Sequence, residues 1–308
     1  MELYVTGLNA WRQLVFDQEE RPPSDSHGGE PNDIVPFQLA LQADFIGRPY
    51  ACNACTIVST SSGIRMAGFI KETPDENTKQ KLLASTAALA SNDTVVEYTG
   101  NGIIVQRPSP PGLGQVPANQ QSFSGMGNIV QLVACMTSFA ALSDDGRVWT
   151  WGDGRFGALF GRPVSPESPA ERPGLVEALQ DLPTGKITQI RAGGWMFLAL
   201  TEGQDLYAWG GYPGETPPLE GLSDEPMPVV VEDSDIVDCG VGNQHIIVLN
   251  SEGDVYVIGN NDCGQLGMEV TEAKTWTKVP LNIAEGNVVC GVVAGWLTSF
   301  ILTKPRVS

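Results

Sequence analysis

Cys52 and Cys55, three positions apart, are the pair best spaced for chemistry in this 308-residue chain. A CxxC pair serves zinc binding or thiol–disulfide exchange. Structural zinc needs two further ligands at similar spacing, and the sequence offers no second CxxC and no histidine pair. Redox motifs of this spacing open a helix, whereas the residues around Cys52 read as a strand. Packing is therefore the expected role, with no metal and no cofactor. Gly152-x-Gly154-x-x-Gly157 matches a dinucleotide fingerprint, which requires a helix next to hold the pyrophosphate. Arg162-Pro163 and further prolines follow instead, so these glycines are expected to make turns. The two histidines, His27 and His245, have no visible partner base or nucleophile, and neither Gly-x-Ser-x-Gly nor HExxH occurs. No catalytic residue is expected, and the chain does not read as an enzyme.

The residues better suited to binding are aromatic, basic and acidic. Arg155-Phe156 sits at a loop tip after Trp151-Gly152. Trp, Tyr and Arg are the side chains that anchor protein interfaces. Acids outnumber bases 36 to 18, giving a formal net charge of -18. Such a chain repels nucleic acid and attracts basic protein surfaces such as a histone. The acids concentrate in two stretches, 17–33 with six acids and one Arg, and 213–235 with seven acids and no base. Asp224 and Glu225 lie in the second.

A repeat positions these residues. Segments 134–152, 192–210 and 241–259 share one layout: a small pair, an apolar strand, a turn, a second strand with aromatics, and a closing glycine. The second small residue (Cys135, Gly193, Gly242) precedes the turn site by 11 positions and the closing glycine by 17. The same frame fits Ala51-Cys52 with Gly63, and Ala90-Ser91 with Gly102. Ala294-Gly295 opens a last copy that lacks its second strand, and Leu3–Gly7 at the other end matches the missing piece. One hairpin cannot bury its own apolar face, so units of this kind stack radially. The expected fold is all-β: a β-propeller of about six blades, seven being left open, forming one domain over 1–308. Its ring is closed by the N-terminal strand pairing with the C-terminal blade. The small pair is expected to start the strand nearest the axis. By propensity 78–90 could be a helix; the repeat register makes it a strand.

Within this frame Cys52 and Cys55 fill slots held elsewhere by Gly193 or Gly242 and by Ser138 or His245. His245 is expected to hydrogen-bond a neighbouring backbone group between blades, and His27 to be solvated. Tyr4, Trp149, Tyr207 and Tyr256 share one slot, and Trp151 and Trp209 another, which argues for core. Trp11, Trp195 and Trp296 fall outside it, the last two toward one rim. Arg155, Phe156, Trp195, Trp296, Asp224 and Glu225 are the expected partner-binding residues.

The strand ending in glycine at 259 and the run Gly259-Asn-Asn-Asp-Cys-Gly-Gln-Leu-Gly267 resemble the regulator of chromosome condensation (RCC) repeat family. Residues 241–267, with His245, match nearly all of that family's unit; residues 134–161 match with Ala158-Leu159 where Gln-Leu is usual, and the N-terminus keeps Asn9 and Gln13-Leu14. Residues 51–105 match only the frame. The resemblance implies a protein-binding propeller in a chromatin-linked complex. The order of units and the short Gly-Trp terminal unit, 295–304, resemble short members of the family that partner a JmjC-domain oxygenase. RCC-like partners of a small zinc protein in diphthamide and tRNA modification come second. A guanine nucleotide exchange factor is the alternative from another functional class. Without a secretory signal, a nuclear or cytoplasmic location with reduced thiols is expected.

Overall fold

The computed structural model describes residues 1–16, 32–69, 76–108 and 120–306. Most of the acidic stretch 17–33, including His27, and most of the Pro-rich stretch 107–118 lie outside the described residues.

The elements run β1 (Glu2–Gly7), β2 (Ile34–Gln42), β3 (Tyr50–Ala51), β4 (Cys55–Thr60), β5 (Gly63–Gly68), a helix α1 (Glu76–Leu83), then β6 (Ala87–Leu89), β7 (Thr94–Gly100), β8 (Ile103–Pro108) and β9 (Gln121–Phe123). Next come β10 (Ile129–Ala134), β11 (Ser138–Ser143), β12 (Val148–Gly152) and β13 (Gly174–Leu175), followed by β14 (Ile187–Gly193), β15 (Met196–Thr201), β16 (Leu206–Gly210) and β17 (Met227–Val229). The chain continues through β18 (Ile236–Val241), β19 (His245–Asn250), β20 (Val255–Asn260) and β21 (Glu272–Lys278) to β22 (Asn287–Ala294) and β23 (Thr298–Pro305). These make six antiparallel sheets, the blades of an all-β, six-bladed propeller. Two compact units divide them, Met1–Leu83 with Asp238–Ser308, and Ala84–Val237.

In three blades the second strand is the most deeply buried. Ser138–Ser143, Met196–Thr201 and His245–Asn250 are buried at every position. Continuous burial reflects a strand covered on both faces, and explains why these runs are apolar without alternation. The small pair closes the first strand rather than opening the innermost one as expected: Ala134 ends β10 and Gly193 ends β14. Small residues are needed there because the chain reverses at once. Cys52, Cys135, Gly242 and Gly295 each donate their N–H to the carbonyl three residues on, at 2.9, 3.0, 2.9 and 2.9 Å. The hairpin turn eleven residues later needs positive φ, and Gly63, Gly102, Gly146 and Gly253 supply it; in the β15–β16 hairpin Gln204 adopts φ 71° in that slot.

The stretch 78–90 divides between the two readings. Residues through Leu83 belong to α1, whose first turn holds Glu76 and whose last turn holds Lys81, each favourable to the helix dipole. The repeat register takes over at β6.

The N-terminal strand completes the last blade, in the order β2-β1-β23-β22. Leu3 faces Leu302, Tyr4 faces Ile301 and Val5 faces Phe300 across the ladder. The Glu2 carboxylate, buried in this sheet, accepts hydrogen bonds from Tyr4, Gln42, Asn287 and Thr303. Burial raises its pKa, but these donors outweigh burial and hold it below the ordinary value.

His245 is fully buried at the start of β19, and its Nε2 lies 3.0 Å from the Ser299 hydroxyl on β23. The expected bridge between blades exists, with a side-chain hydroxyl as partner where a backbone group was expected. Burial pushes the His245 pKa from 6.5 down to about 4, against an opposing effect of the Thr298 backbone. The folded state therefore holds a neutral ring while the unfolded chain gains a proton below pH 6.5. This contribution to stability is complete above pH 6.5 and is lost as pH falls toward 4. Urea denaturation in that window should show wild-type stability falling faster with acid than that of His245→Asn. Parallel curves would contradict the assignment.

Candidate functional site

In the unit Ala84–Val237, three loops of two neighbouring blades bring three aromatic rings together. Phe156 follows β12, Trp195 lies in the turn between β14 and β15, and Tyr212 follows β16. Ring centroids are 4.8 Å apart for Phe156–Trp195, 4.5 Å for Trp195–Tyr212 and 5.9 Å for Phe156–Tyr212. Phe156 and Trp195 rest on the core formed by Leu159, Phe197 and Trp209, and Tyr212 remains 37% exposed. The underside is anchored and the outer face meets solvent.

Backbone bonds fix the three loops. Gly211 N–H donates to the Trp195 carbonyl at 2.7 Å, and Met136 N–H to the Gly194 carbonyl at 3.2 Å. Gly210, at φ 130°, must be glycine, because a Cβ there would lie 2.4 Å from the Trp195 carbonyl oxygen. Arg155 lies over Phe156, its guanidinium 5.4 Å from the ring centroid, and is forked onto Asp153 by bonds from Nε at 3.0 Å. That carboxylate raises the Arg155 pKa, and the guanidinium beside the rings is held as an ion pair with Asp153.

The acidic loop returns to the same place. Gly210 N–H donates to the Ser223 carbonyl at 2.8 Å, which ties the residues before Asp224 and Glu225 to the stem of Tyr212. Glu215 N–H also bonds the Tyr212 carbonyl, at 3.1 Å. Glu215, Glu220, Asp224 and Glu225 are all exposed. An anchored aromatic surface bordered by carboxylates suits a basic protein segment: apolar contact supplies the hold, and charge speeds the encounter.

Of the six residues expected from sequence, the structure joins Phe156 with Trp195, sets Arg155 on Phe156, and puts Asp224 and Glu225 on the loop that returns to Gly210. Trp296 belongs to the other unit, half-buried in the turn between β22 and β23. There its carbonyl accepts from Asn243 N–H at 2.9 Å. Tyr212 was missed. Its signal was positional: it stands two residues past a closing glycine, the slot of Asn9 and Asn261. Those asparagines brace their loops by accepting the N–H of Leu14 at 3.2 Å and of Leu266 at 2.7 Å. Gly154 and Tyr212 interrupt that pattern on adjacent blades, where the aromatic surface has replaced it.

Gly157 begins a four-residue 3-10 turn, Gly157–Phe160, so no helix follows the glycine motif to hold a pyrophosphate. A cleft of about 480 Å³ is lined by Gln121, Ser122, Phe123, Ser124, Glu171, Arg172 and Pro173. Among the described residues no helix is long and apolar enough to cross a membrane.

Comparison with known proteins agrees with the fold. The model described as "Regulator of chromosome condensation (RCC1) repeat" matches residues 145–200 and 236–265. The human "Regulator of chromosome condensation" is 33% identical over 176 residues, which is 56% of this chain and 38% of that protein. The bovine "Secretion-regulating guanine nucleotide exchange factor" is 29% identical over 182 residues, 56% of this chain and 38% of its own. The matches thus span well under half of these relatives' length. Among solved structures, Prp20p of Saccharomyces cerevisiae, described with its binding properties to Gsp1p and histones, superposes with a TM-score of 0.63 at 14% identity. That match covers 100% of this chain and 92% of that one.

Proposed function

The chain belongs to the regulator of chromosome condensation repeat family, and from that premise we propose that it is a non-enzymatic, single-domain propeller that binds a basic protein partner. The single observation that carries this reading is the joining of Phe156, Trp195 and Tyr212 into one surface beside an acidic loop. A histone or a JmjC-domain oxygenase, within a chromatin-linked complex in the nucleus or cytoplasm, is the partner the reading puts first. The net charge of -18 supports a basic partner, and Prp20p, which shares the fold, is described as binding histones.

A second reading is guanine nucleotide exchange on a small GTPase. It is favoured by the name of the bovine relative. Partnership with a small zinc protein rests on resemblance alone. Release of fluorescent nucleotide from a panel of small GTPases separates the first two readings. The binding module leaves release unchanged; acceleration of about tenfold or more would establish the exchange factor. Tagged wild-type protein and Trp195→Ala, passed in parallel over nuclear extract, test the surface itself. A basic protein retained by the first and lost from the second is the expected result, and identical retention on both would place the interface elsewhere.

A further inference from the structure

The CxxC pair does more than fill packing slots. Tyr50 pairs with Ile57 and Ala51 with Thr56 across the β3–β4 ladder, so the register sets Cys52 directly opposite Cys55. Cys52 N–H donates to the Cys55 carbonyl at 2.9 Å to close the turn. Residues directly opposite in an antiparallel pair have Cα atoms about 4.5–5.5 Å apart, inside the range of about 4.4–6.8 Å that a disulfide spans. The same turn elsewhere in the protein shows that side chains at these two slots point at each other. A Cβ on Gly242 would lie 2.0 Å from the His245 ring, and one on Gly295 would lie 2.5 Å from the Thr298 hydroxyl. Where both slots carry cysteine, the sulfurs meet at 2.9 Å, both as free thiols.

The two thiols are not equivalent. Cys52 is half-buried in an exposed turn beside Asn53, whereas Cys55 is 2% exposed. Cys52 is thus the more accessible of the two, and its sulfur touches that of Cys55. We propose that Cys52 and Cys55 form a reversible dithiol–disulfide site that exchanges with low-molecular-weight disulfides, Cys52 attacking and Cys55 resolving.

In the first step the Cys52 thiolate attacks one sulfur of the small disulfide. A Cys52–S bond forms, the external S–S bond breaks, and a thiolate leaves and takes up a proton. In the second step Cys55 gives up its proton and attacks the Cys52 sulfur, expelling the second small thiol. Two protein thiols are oxidised by two electrons, and one disulfide is reduced to two thiols. The electrostatics support this order. A hydrogen bond from Cys55, with backbone N–H groups of the turn, brings the Cys52 pKa down to about 6 against the effect of burial. Cys55 is pushed up by its bond to Cys52, by burial and by the adjacent charge. Capping Cys52 removes that charge and frees Cys55 to resolve the mixed disulfide. A helix N-terminus, the usual means of activating such a pair, is replaced here by the hairpin register.

The test uses the full chain and oxidised glutathione, with thiols counted and masses measured under denaturing conditions. Wild type should lose two thiols, carry no glutathione, and contain a Cys52–Cys55 link. Cys55→Ser should keep glutathione on Cys52, and Cys52→Ser should gain none at this turn. Alkylation near pH 6 should modify Cys52 on the order of tenfold faster than the half-buried Cys263 and Cys290, whose pKa values are raised by burial. The wild-type measurements need no substitution, so a variant that folds poorly does not decide the outcome. Retention of all six thiols by wild type, equal adducts on both variants, or about one tightly held zinc per chain would overturn the proposal.

Discussion

Removal of residues 1–7 should abolish cooperative folding of the unit that holds them. β1 lies between β2 and β23, so its loss breaks two ladders and leaves β23 paired with β22 alone. Leu3 and Val5 are 0% and 1% exposed, and Tyr4 is 6% exposed. Burial of each such side chain contributes about 1.5–3 kcal/mol. The three together are comparable to the whole stability of an ordinary domain, about 5–15 kcal/mol. The deletion also strips Glu2 from Gln42, Asn287 and Thr303, and removes the Tyr4 hydroxyl that accepts from Ala284 N–H at 3.2 Å. Unpaired edges of β2 and β23 would invite aggregation. Thermal denaturation followed by near-ultraviolet circular dichroism should show no sharp transition in the truncated chain. A synthetic peptide of residues 1–16 added in trans should restore part of it. A truncated protein that melts like the full chain would sink this topology.

Arg162→Met should cost about 3 kcal/mol in a urea titration, and Arg162→Lys nearly as much. Arg162 is buried, and its guanidinium bonds the carbonyl oxygens of Thr150, Pro163, Ser168, Pro169 and Arg172 and the Ser168 hydroxyl, at 3.0–3.4 Å. Burial pulls its pKa down, and the acceptors are oxygens of a folded loop. A lysine ammonium has three donors and no planar fork, so it cannot span them. The loop it organises lies beside Gly174, where a Cβ would sit 2.3 Å from the guanidinium carbon. Loss of Arg162 should therefore also loosen the Ala170 carbonyl that accepts from Gly152 N–H at 2.8 Å, behind the Phe156 loop. A change under about 0.5 kcal/mol would show that the loop holds itself.

The strands of three blades were legible because β11, β15 and β19 repeat one burial pattern. Cys135, Gly193 and Gly242 kept their spacing, and Leu3–Gly7 matched Val148–Gly152 at the aliphatic first, aromatic second and closing glycine positions. Where the small pair belonged was less legible, because the first strand of a blade varies: Ile129–Ala134 and Asn287–Ala294 share little beyond their apolar character. The segment 78–90 carried two local preferences, and propensity prevailed only through Leu83, ahead of the repeat strand.

The site was legible in pieces. Phe156 and Trp195 stood out as aromatics off the core register, but their contact depends on two blades meeting, which spacing along the chain does not encode. Tyr212 and Arg162 were hidden for the same reason. Each takes its role from a loop that returns on itself, through Ser223 in one case and through Ser168 to Arg172 in the other. The Cys52–Cys55 contact follows from the turn that the repeat shares, and the Gly and Ser at matching slots concealed it.

The proposal of an aromatic surface with acid-steered capture is tested most directly by binding kinetics on purified core histones. Wild type, Trp195→Ala, Tyr212→Ala and the pair Asp224→Asn with Glu225→Gln would be compared at two salt concentrations. Either aromatic truncation should raise the dissociation rate by about 30-fold, equivalent to about 2 kcal/mol, with little change in association. Neutralising the acids should mainly lower the association rate, and added salt should do the same to wild type. No binding by wild type, or unchanged rates in variants that melt normally, would contradict the account.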